Sequence, residues 1–221
     1  MKDLQSWDAY LVTDRGFSLG RSTLEIVELA VSGGVSVVQL REKDLPTRDF
    51  FQEGLRIRDF LRARRVPLII NDRIDIALAL DADGVHLGQD DMPLGVARRI
   101  LGPDRIIGLS VNELAHINPE NAALADYFAI SPVFPTPTKT DTTEPWGLDG
   151  LRKARSITDL PLVAIGSIKL DNARQVAEAG ADCVAVVTAI TAAADAEHAT
   201  RELVLAVRLG KEDRKIANKT C

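Results

Sequence analysis

The chain has 221 residues, of which 46% are hydrophobic, and its formal net charge is −5 at pH 7. This length and apolar content are sufficient to bury one large core, so a single domain is the default expectation. The negative charge argues against nucleic acid or an anionic membrane as a partner, because both require a basic surface.

The N-terminal residues lack the apolar stretch of a secretory signal, and no apolar run approaches the roughly 18 residues of a spanning helix. We therefore expect a cytoplasmic protein with no membrane partner. The two cysteines, Cys183 and Cys221, have neither metal-site spacing nor a disulfide framework. Cys183 lies within an apolar run and is expected to be a small core residue.

Short apolar runs alternate with amphipathic segments of helical length, eight times along the chain. In chain order, the predicted strands cover residues 9–13, 35–40, 67–70, 83–87, 105–109, 127–130, 161–165 and 182–187. The predicted helices cover residues 22–34, 47–64, 74–80, 94–101, 119–125, 148–157, 171–179 and about 193–209. Ser22 and Gly33 mark the start and end of the first helix, since they match the usual capping residues.

The strands read as continuous apolar runs, which is typical of parallel strands buried on both faces. Eight strand–helix units predict a single (β/α)₈ TIM barrel over residues 1–210, followed by a charged and flexible tail over residues 211–221. The alternative is an open doubly wound sheet. No Gly-x-Gly-x-x-Gly motif follows the first strand, which favours the closed barrel.

In such a barrel the functional residues follow the carboxyl ends of the strands. After the second strand, Gln39, Arg41 and Lys43 share one face because side chains alternate along a strand. An ordinary solvated strand end is the alternative. Two cations and an amide without a carboxylate on the same face favour an anion site.

Carboxylates follow the third and fourth strands at Asp72 and Asp91. Adjacent strands lie about 4.8 Å apart, so both side chains can reach one hard cation, which we expect to be Mg²⁺. The alternative is that Asp72 and either Asp90 or Asp91 cap the helices that follow. Ser110, after the fifth strand, is a candidate hydroxyl donor or a turn residue.

None of the three histidines is assigned a catalytic role. His86 lies within the fourth strand and is expected to pack there. His116 and His198 fall on helical or loop positions without an evident partner.

Residues 131–143 form a proline- and threonine-rich segment after the sixth strand. Its prolines stiffen the backbone, while Thr136, Thr138 and Lys139 are suited to binding phosphate oxygens. A solvated surface loop is the alternative.

A second anion site is expected where Gly166–Ser167 and Thr188 offer backbone N–H groups near helix starts. Two separate anion sites, one with a metal, indicate an enzyme that joins two phosphorylated molecules.

Together the motifs resemble the thiamine-phosphate synthase family over nearly the whole chain. The segments that carry the resemblance are Tyr10–Asp14, Val38–Lys43, Leu68–Arg73, Asp83–Asp91, Ser131–Lys139 and Ala181–Thr188. The resemblance implies a (β/α)₈ barrel that joins hydroxymethylpyrimidine diphosphate to a thiazole phosphate with Mg²⁺, yielding thiamine monophosphate and diphosphate.

The resemblance also implies a role for each matching residue. Those expected to hold the pyrimidine diphosphate are Gln39, Arg41, Lys43, Asn71, Ser110, Thr138 and Lys139, with Tyr10 against the pyrimidine or packed in the barrel floor. Asp72 and Asp91 would bind Mg²⁺. The thiazole phosphate is expected at Thr136, Ser167, Val187 and Thr188. Catalysis is assigned to Arg41, Lys43, Ser110 and Lys139, which face the charge that develops on the departing diphosphate.

The chain departs from the family at one place, because Gly166–Ser167 stands where a Gly-Gly pair is usual. Two other functions remain open. A thiazole tautomerase is expected to carry a histidine shortly after Ser110, where this chain has Val111–Asn112. A non-enzymatic phosphate-binding barrel is expected to have lost some of the cations and carboxylates named above, and this chain keeps them. The sequence does not indicate the oligomeric state.

Overall fold

The computed structural model describes residues 4–135 and 144–220. Eight parallel strands pair in chain order and close into one barrel, which confirms the predicted (β/α)₈ fold. The strands are β1 (Ala9–Val12), β2 (Val37–Leu40), β3 (Leu68–Asn71), β4 (Gly84–Leu87), β5 (Ile106–Val111), β6 (Tyr127–Ile130), β7 (Leu162–Ile165) and β8 (Cys183–Val186). The α-helices are α1 (Thr23–Ser32), α2 (Thr47–Arg64), α3 (Ile74–Leu80), α4 (Leu94–Leu101), α5 (Pro119–Leu124), α6 (Gly147–Ser156), α7 (Leu170–Glu178), α8 (Thr188–Thr191) and α9 (Ala196–Thr220).

The barrel has two apolar layers because successive side chains of each strand point to opposite faces. The outer layer packs between the strands and the helices, as Leu11 and Val38 do, and forms the larger core. The inner layer fills the lower half of the barrel and includes Tyr10, Ile69 and Tyr127. Cys183 is buried in this inner layer, as the sequence predicts.

Local signals set several helix ends. The Ser22 hydroxyl accepts a hydrogen bond from Glu25 N–H at 3.2 Å and begins α1, which ends before Gly33. Asn118 caps α5 in the same way. Arg65 and Asp81 end α2 and α3 in the left-handed conformation, a role that the sequence did not reveal.

One hydrogen-bond arrangement recurs at the amino ends of the strands. It occurs once in each of the strand pairs β1–β2, β3–β4, β5–β6 and β7–β8. The residue just before β4, β6 and β8 is an aspartate whose carboxylate accepts a backbone N–H at or next to the start of the preceding strand. The distances are 2.8 Å for Asp83 and Leu68, 2.7 Å for Asp126 and Ile107, and 2.9 Å for Asp182 and Leu162. Before β2 the same position is Ser36, whose Oγ accepts from Asp8 N–H at 2.9 Å. We call these four contacts the amino-end clamps.

The C-terminal region differs from the prediction. Residues 211–220, expected to be a separate charged tail, continue α9. Three of their charged side chains form ion pairs with the rest of the chain: Lys211 lies 2.8 Å from Asp8, Asp213 lies 2.7 Å from Arg174, and Arg214 lies 2.8 Å from Asp182. The charge pattern predicts a solvated tail, whereas in the structure it reflects ion pairs with α7 and with the residues just before β1 and β8. No helix in the described part of the chain is long and apolar enough to cross a membrane.

Candidate functional site

A cavity of about 380 Å³ opens at the carboxyl ends of the strands. Its floor is the polar upper rim of the inner layer, and its walls are the loops that follow β1, β2, β6, β7 and β8. This is the position at which the barrel fold places active sites.

Strand register brings the polar floor residues to similar heights. Gln39 pairs with Val12 of β1 and Ile69 of β3, while Asn71 pairs with His86. Ser110 pairs with Ala129 and lies inside β5, which runs two residues farther than predicted. Successive side chains of a strand point to opposite faces, and the side chains of all these residues lie on the face that points into the barrel.

The floor carries a continuous row of hydrogen bonds, which we call the floor network. Gln39 Nε2 donates to the Tyr10 hydroxyl at 2.7 Å, and the Tyr10 and Tyr127 hydroxyls lie 3.0 Å apart. The Tyr127 hydroxyl lies 2.9 Å from His86 Nδ1, and His86 Nε2 lies 2.8 Å from Ser110 Oγ. The network therefore links five residues from β1, β2, β4, β5 and β6.

Aromatic packing fixes the two tyrosines. Tyr127 is 0% exposed, and its ring stacks on His86 with 5.7 Å between centroids. Trp7 contacts both tyrosine rings edge-on from below. Gly108 makes room for Tyr127, since a Cβ at that position would lie 2.0 Å from the tyrosine Cζ. Burial raises the pKa of both tyrosines, so both hydroxyls keep their protons.

The loops after β1 and β2 are joined by crossed ion pairs. Arg41 Nη1 lies 3.1 Å from Asp14 Oδ2, so this guanidinium has a carboxylate partner that strand alternation did not reveal. Arg15 lies 3.3 Å from Glu42 and 2.7 Å from Glu53. Burial raises the pKa of Glu42 from 4.5 to about 7, and the nearby Glu53 adds to the effect.

The carboxyl groups of Asp72 and Asp91 face each other at the ends of β3 and β4. Burial raises the pKa of Asp72 to about 6, and a hydrogen bond and charge repulsion from Asp91 add to the effect, while Lys43 opposes it. Neither aspartate caps a helix, because the N-cap positions of α3 and α4 are Arg73 and Pro93, and neither helix has a side-chain cap. The Asp91 carboxylate instead accepts from Gly88 N–H at 2.6 Å. The capping alternative is therefore wrong for both Asp72 and Asp91, and Asp90 caps no helix either.

This pair of carboxyls suits a hard cation. Two oxygen-bearing side chains from adjacent strands, close enough to favour one retained proton, leave negative charge that a divalent ion would neutralise. Among the described residues no group of three or more His, Cys, Asp or Glu side chains could hold a metal ion. Two carboxylates supplemented by phosphate oxygens and water are a usual set for Mg²⁺.

The loop after β7 lies on the opposite side of the cavity. Gly166 has φ of +112° and Ser167 has φ of +49°, so Ser167 adopts a conformation that favours glycine. A Cβ at Gly166 would lie 2.7 Å from Pro132, which explains the glycine there. Val187 and Thr188 line the same side of the cavity at the end of β8.

The cavity brings together most of the predicted substrate-binding residues. Those that line it are Tyr10, Gln39, Arg41, Asn71, Ser110, Ser167, Val187 and Thr188. Lys43, Asp72 and Asp91 lie beside one another at its β2–β4 side. Thr136, Thr138 and Lys139 lie outside the described residues. The binding roles of all these residues stay predictions.

Several cavity residues were not predicted. His86, expected only to pack within its strand, faces the cavity through the floor network. Tyr127, Ser131 and Lys169 also line it. A signal for Tyr127 was present, because a glycine inside a strand, such as Gly108, often marks the close approach of another group.

Comparison with known proteins gives concordant matches. The family model described as thiamine monophosphate synthase matches residues 9–190. The thiamine-phosphate synthase of Albidiferax ferrireducens is 54% identical over 192 residues, covering 87% of this chain and 88% of that protein. The thiamine-phosphate synthase of Chloroflexus aurantiacus is 48% identical over 93% of this chain and 95% of its own length. The structure of thiamine phosphate pyrophosphorylase from Pyrococcus furiosus superposes with a TM-score of 0.84 and 39% identity, covering 92% of this chain and 96% of that one.

Proposed function

The chain belongs to the thiamine monophosphate synthase family, and from this premise we propose that it makes thiamine monophosphate from two phosphorylated substrates. One is 4-amino-2-methyl-5-hydroxymethylpyrimidine diphosphate and the other is a thiazole phosphate. The second product is diphosphate. A cytoplasmic location stays a prediction.

One observation carries the proposal: the cavity has two candidate binding regions for phosphorylated groups, on opposite sides of the barrel. Arg41, Lys43 and the Asp72–Asp91 pair lie at the ends of β2, β3 and β4. The β7 and β8 loops lie across from them, since β3 and β7 are opposite in a ring of eight strands. A diphosphate on the first side and a monophosphate on the second would place two organic rings between them, above the floor network.

The chemistry then requires stabilisation of a leaving diphosphate. The bond between the pyrimidine methylene carbon and the diphosphate oxygen breaks, and both electrons leave with the oxygen. Arg41, Lys43 and the Ser110 hydroxyl face this developing charge, together with Lys139 in the predicted role. Arg41 would exchange or share its Asp14 partner when the diphosphate binds, because both compete for one guanidinium.

Asp72 and Asp91 would hold Mg²⁺ at the same side of the cavity. When bound, the ion neutralises negative charge on phosphate oxygens. The methylene cation is stabilised by the amino-substituted pyrimidine ring, and the thiazole nitrogen forms the new C–N bond. No enzyme nucleophile takes part in this route. The buried Tyr10 and Tyr127 rings form a dry floor beneath the reacting atoms.

The test is direct synthesis. The full chain is mixed with both phosphorylated substrates and Mg²⁺, and thiamine monophosphate and diphosphate are measured over time. We expect equal amounts of the two products, none when either substrate is omitted, and a large loss with Arg41→Met. Folded protein that yields neither product would overturn the proposal. Isomerisation of the thiazole without the pyrimidine diphosphate would indicate the tautomerase alternative.

A further inference from the structure

We infer that the floor network has one fixed hydrogen-bond direction, from Gln39 to Ser110, and that Tyr127 is a positioning residue that makes Ser110 a donor to the ligand. Only the identification of that ligand as a diphosphate rests on the proposed function. The direction itself follows from the floor residues alone.

With a neutral imidazole, only two directions give every buried hydroxyl proton of the network an acceptor. A hydroxyl can accept two hydrogen bonds, but the protons of the buried Tyr10 and Tyr127 hydroxyls also need acceptors, so donation by Gln39 directs both protons onward. If Gln39 donates to Tyr10, the sequence of donors continues through Tyr127 to His86 Nδ1 and from His86 Nε2 to Ser110. The Ser110 proton is then directed into the cavity. In the reverse direction Ser110 donates to His86 and offers only lone pairs to a ligand.

Two observations favour the first direction. The amide nitrogen of Gln39 faces the Tyr10 hydroxyl at 2.7 Å. At the 2.9 Å contact between Tyr127 and His86, a phenol is a stronger donor than an imidazole N–H, and an imidazole nitrogen is a stronger acceptor than a phenol oxygen. The first direction then places the single proton of the neutral imidazole on Nε2, 2.8 Å from the Ser110 hydroxyl oxygen that accepts it.

Burial prevents the network from relaxing toward water. Tyr10 is 1% exposed and Tyr127 is 0% exposed, and the notch at Gly108 holds the Tyr127 ring in place. Reversal would require the Gln39 amide and every proton of the network to turn together. In this direction the neutral His86 imidazole carries its proton on Nε2, and the inference involves no proton transfer.

The consequence is selectivity for an anionic oxygen above Ser110. A hydroxyl that already accepts from His86 has its proton available, and a donor fixed before the ligand arrives costs no reorganisation when charge develops. On the proposed function, that oxygen belongs to the departing diphosphate.

The first test is ¹⁵N NMR of labelled histidine in the full chain. The chain has three histidines, so the variant with His116→Gln and His198→Gln retains only His86. Where His86 is neutral, we expect a protonated Nε2 and an unprotonated Nδ1. We expect Tyr127→Phe to yield a mixture of tautomers. A proton on Nδ1 in the unmodified floor, or an unchanged spectrum in Tyr127→Phe, would overturn the inference.

The second test is a double-mutant cycle between Tyr127→Phe and Ser110→Ala, with Tyr10→Phe as the matched control. Loss of a hydrogen bond to a charged group predicts that Tyr127→Phe lowers kcat roughly tenfold to a hundredfold. The double variant should be no slower than Ser110→Ala alone, because both changes remove the same donor. Tyr10→Phe should have a smaller effect, since Tyr127 still donates to His86. Independent, multiplying losses would contradict the inference.

The two failures are distinguishable. If the protein makes no thiamine monophosphate, the NMR spectrum still decides the direction of the network. Binding of inorganic diphosphate with Mg²⁺ then replaces kcat in the cycle, with the same expectation for the variants. Thermal unfolding of each variant verifies that the comparison is between folded proteins.

Discussion

The side-chain hydroxyl of Ser167 donates a 2.6 Å hydrogen bond to the backbone carbonyl of Pro135 and so joins the loop after β7 to the loop after β6. Two backbone bonds lie beside it, from Val133 N–H to Ile165 at 2.8 Å and from Phe134 N–H to Gly166 at 3.2 Å. Because this hydroxyl already donates to Pro135, a phosphate at this loop would be held by backbone N–H groups.

The first prediction therefore concerns two substitutions at Ser167. Ser167→Gly removes a hydrogen bond worth about 0.5–1.5 kcal/mol but relieves a positive φ that costs roughly 1–2 kcal/mol, so the effects nearly cancel. Ser167→Ala removes the bond and keeps the strain, so it should be less stable by about 0.5–1.5 kcal/mol. Urea unfolding and the KM for thiazole phosphate should both show Gly close to the native chain and Ala worse.

A proline at this position would not test the contribution of the Ser167 backbone N–H by itself. Its φ is fixed near −65°, whereas Ser167 has +49°, so the loop itself would distort. If Gly raised the thiazole-phosphate KM as much as Ala does, the hydroxyl rather than the backbone would be the binding group.

The second prediction concerns the carboxylate pair. Replacing Asp91 or Asp72 with Ala should lower kcat roughly 100-fold or more, because metal-assisted charge stabilisation is worth several kcal/mol. Chelation with EDTA should have the same effect. Asp91→Asn is the matched control, since its oxygen can still accept from Gly88 N–H while the charge is lost. Near-normal turnover of Asp91→Ala, or activity in EDTA, would contradict the assignment of Mg²⁺ to Asp72 and Asp91.

The third prediction concerns Lys139, which lies outside the described residues. If it acts on the departing diphosphate, Lys139→Ala should lower kcat roughly 100-fold with a smaller change in the thiazole-phosphate KM. Lys139→Arg should restore only part of the rate. Steady-state kinetics with each substrate varied in turn decide the point, and a defect confined to the thiazole-phosphate KM would place Lys139 at the other anion site.

The fourth prediction concerns pH and Glu42. Its pKa rises from 4.5 to about 7 through burial, with Glu53 and Asp14 adding to the rise and Arg15 and Arg41 opposing it. The unfolded chain ionises near 4.5 while the folded protein retains the proton until about pH 7, so this group makes folding less favourable as the pH rises through that window.

Glu42→Gln should therefore leave stability nearly unchanged below pH 5 and stabilise the protein by about 1–2 kcal/mol at pH 8. Urea unfolding of both proteins at the two pH values measures the difference, and groups that titrate equally in both cancel. A variant less stable than the native chain at pH 8 would mean that the Arg15–Glu42 ion pair outweighs the burial of the carboxylate.

Much of the fold was predictable because its signals are local. Continuous apolar runs identified the strands, and capping residues such as Ser22 and Gly33 identified helix ends. The end of α9 was missed for a different reason. In the sequence, the charges of Lys211 and Arg214 predict a solvated tail. Only the folded barrel shows that Asp8 and Asp182 form ion pairs with them.

The candidate site divides in the same way. Gln39, Arg41 and Ser110 were identified because strand alternation and strand ends can be read from the sequence. The partners of these residues come from distant segments: Asp14 for Arg41, Tyr10 for Gln39 and His86 for Ser110. These partners lie on neighbouring strands or in the loops after them, 24 to 29 residues away in the chain, so they depend on how the strands pair and no local pattern could indicate them.

The amino-end clamps group the eight strands into four pairs, which we call quarters. Backbone strand pairing joins the quarters at four boundaries, which we call seams: between β2 and β3, β4 and β5, β6 and β7, and β8 and β1. The floor network crosses these seams, since His86 and Ser110 lie on either side of one and Tyr10 and Tyr127 belong to different quarters. Arg41, predicted to bind the diphosphate, and Asp72, predicted to bind Mg²⁺, also flank a seam. Candidate substrate- and metal-binding groups therefore add side-chain contacts across seams that strand pairing already joins. A ligand bound by these groups would therefore tie neighbouring quarters of the barrel together.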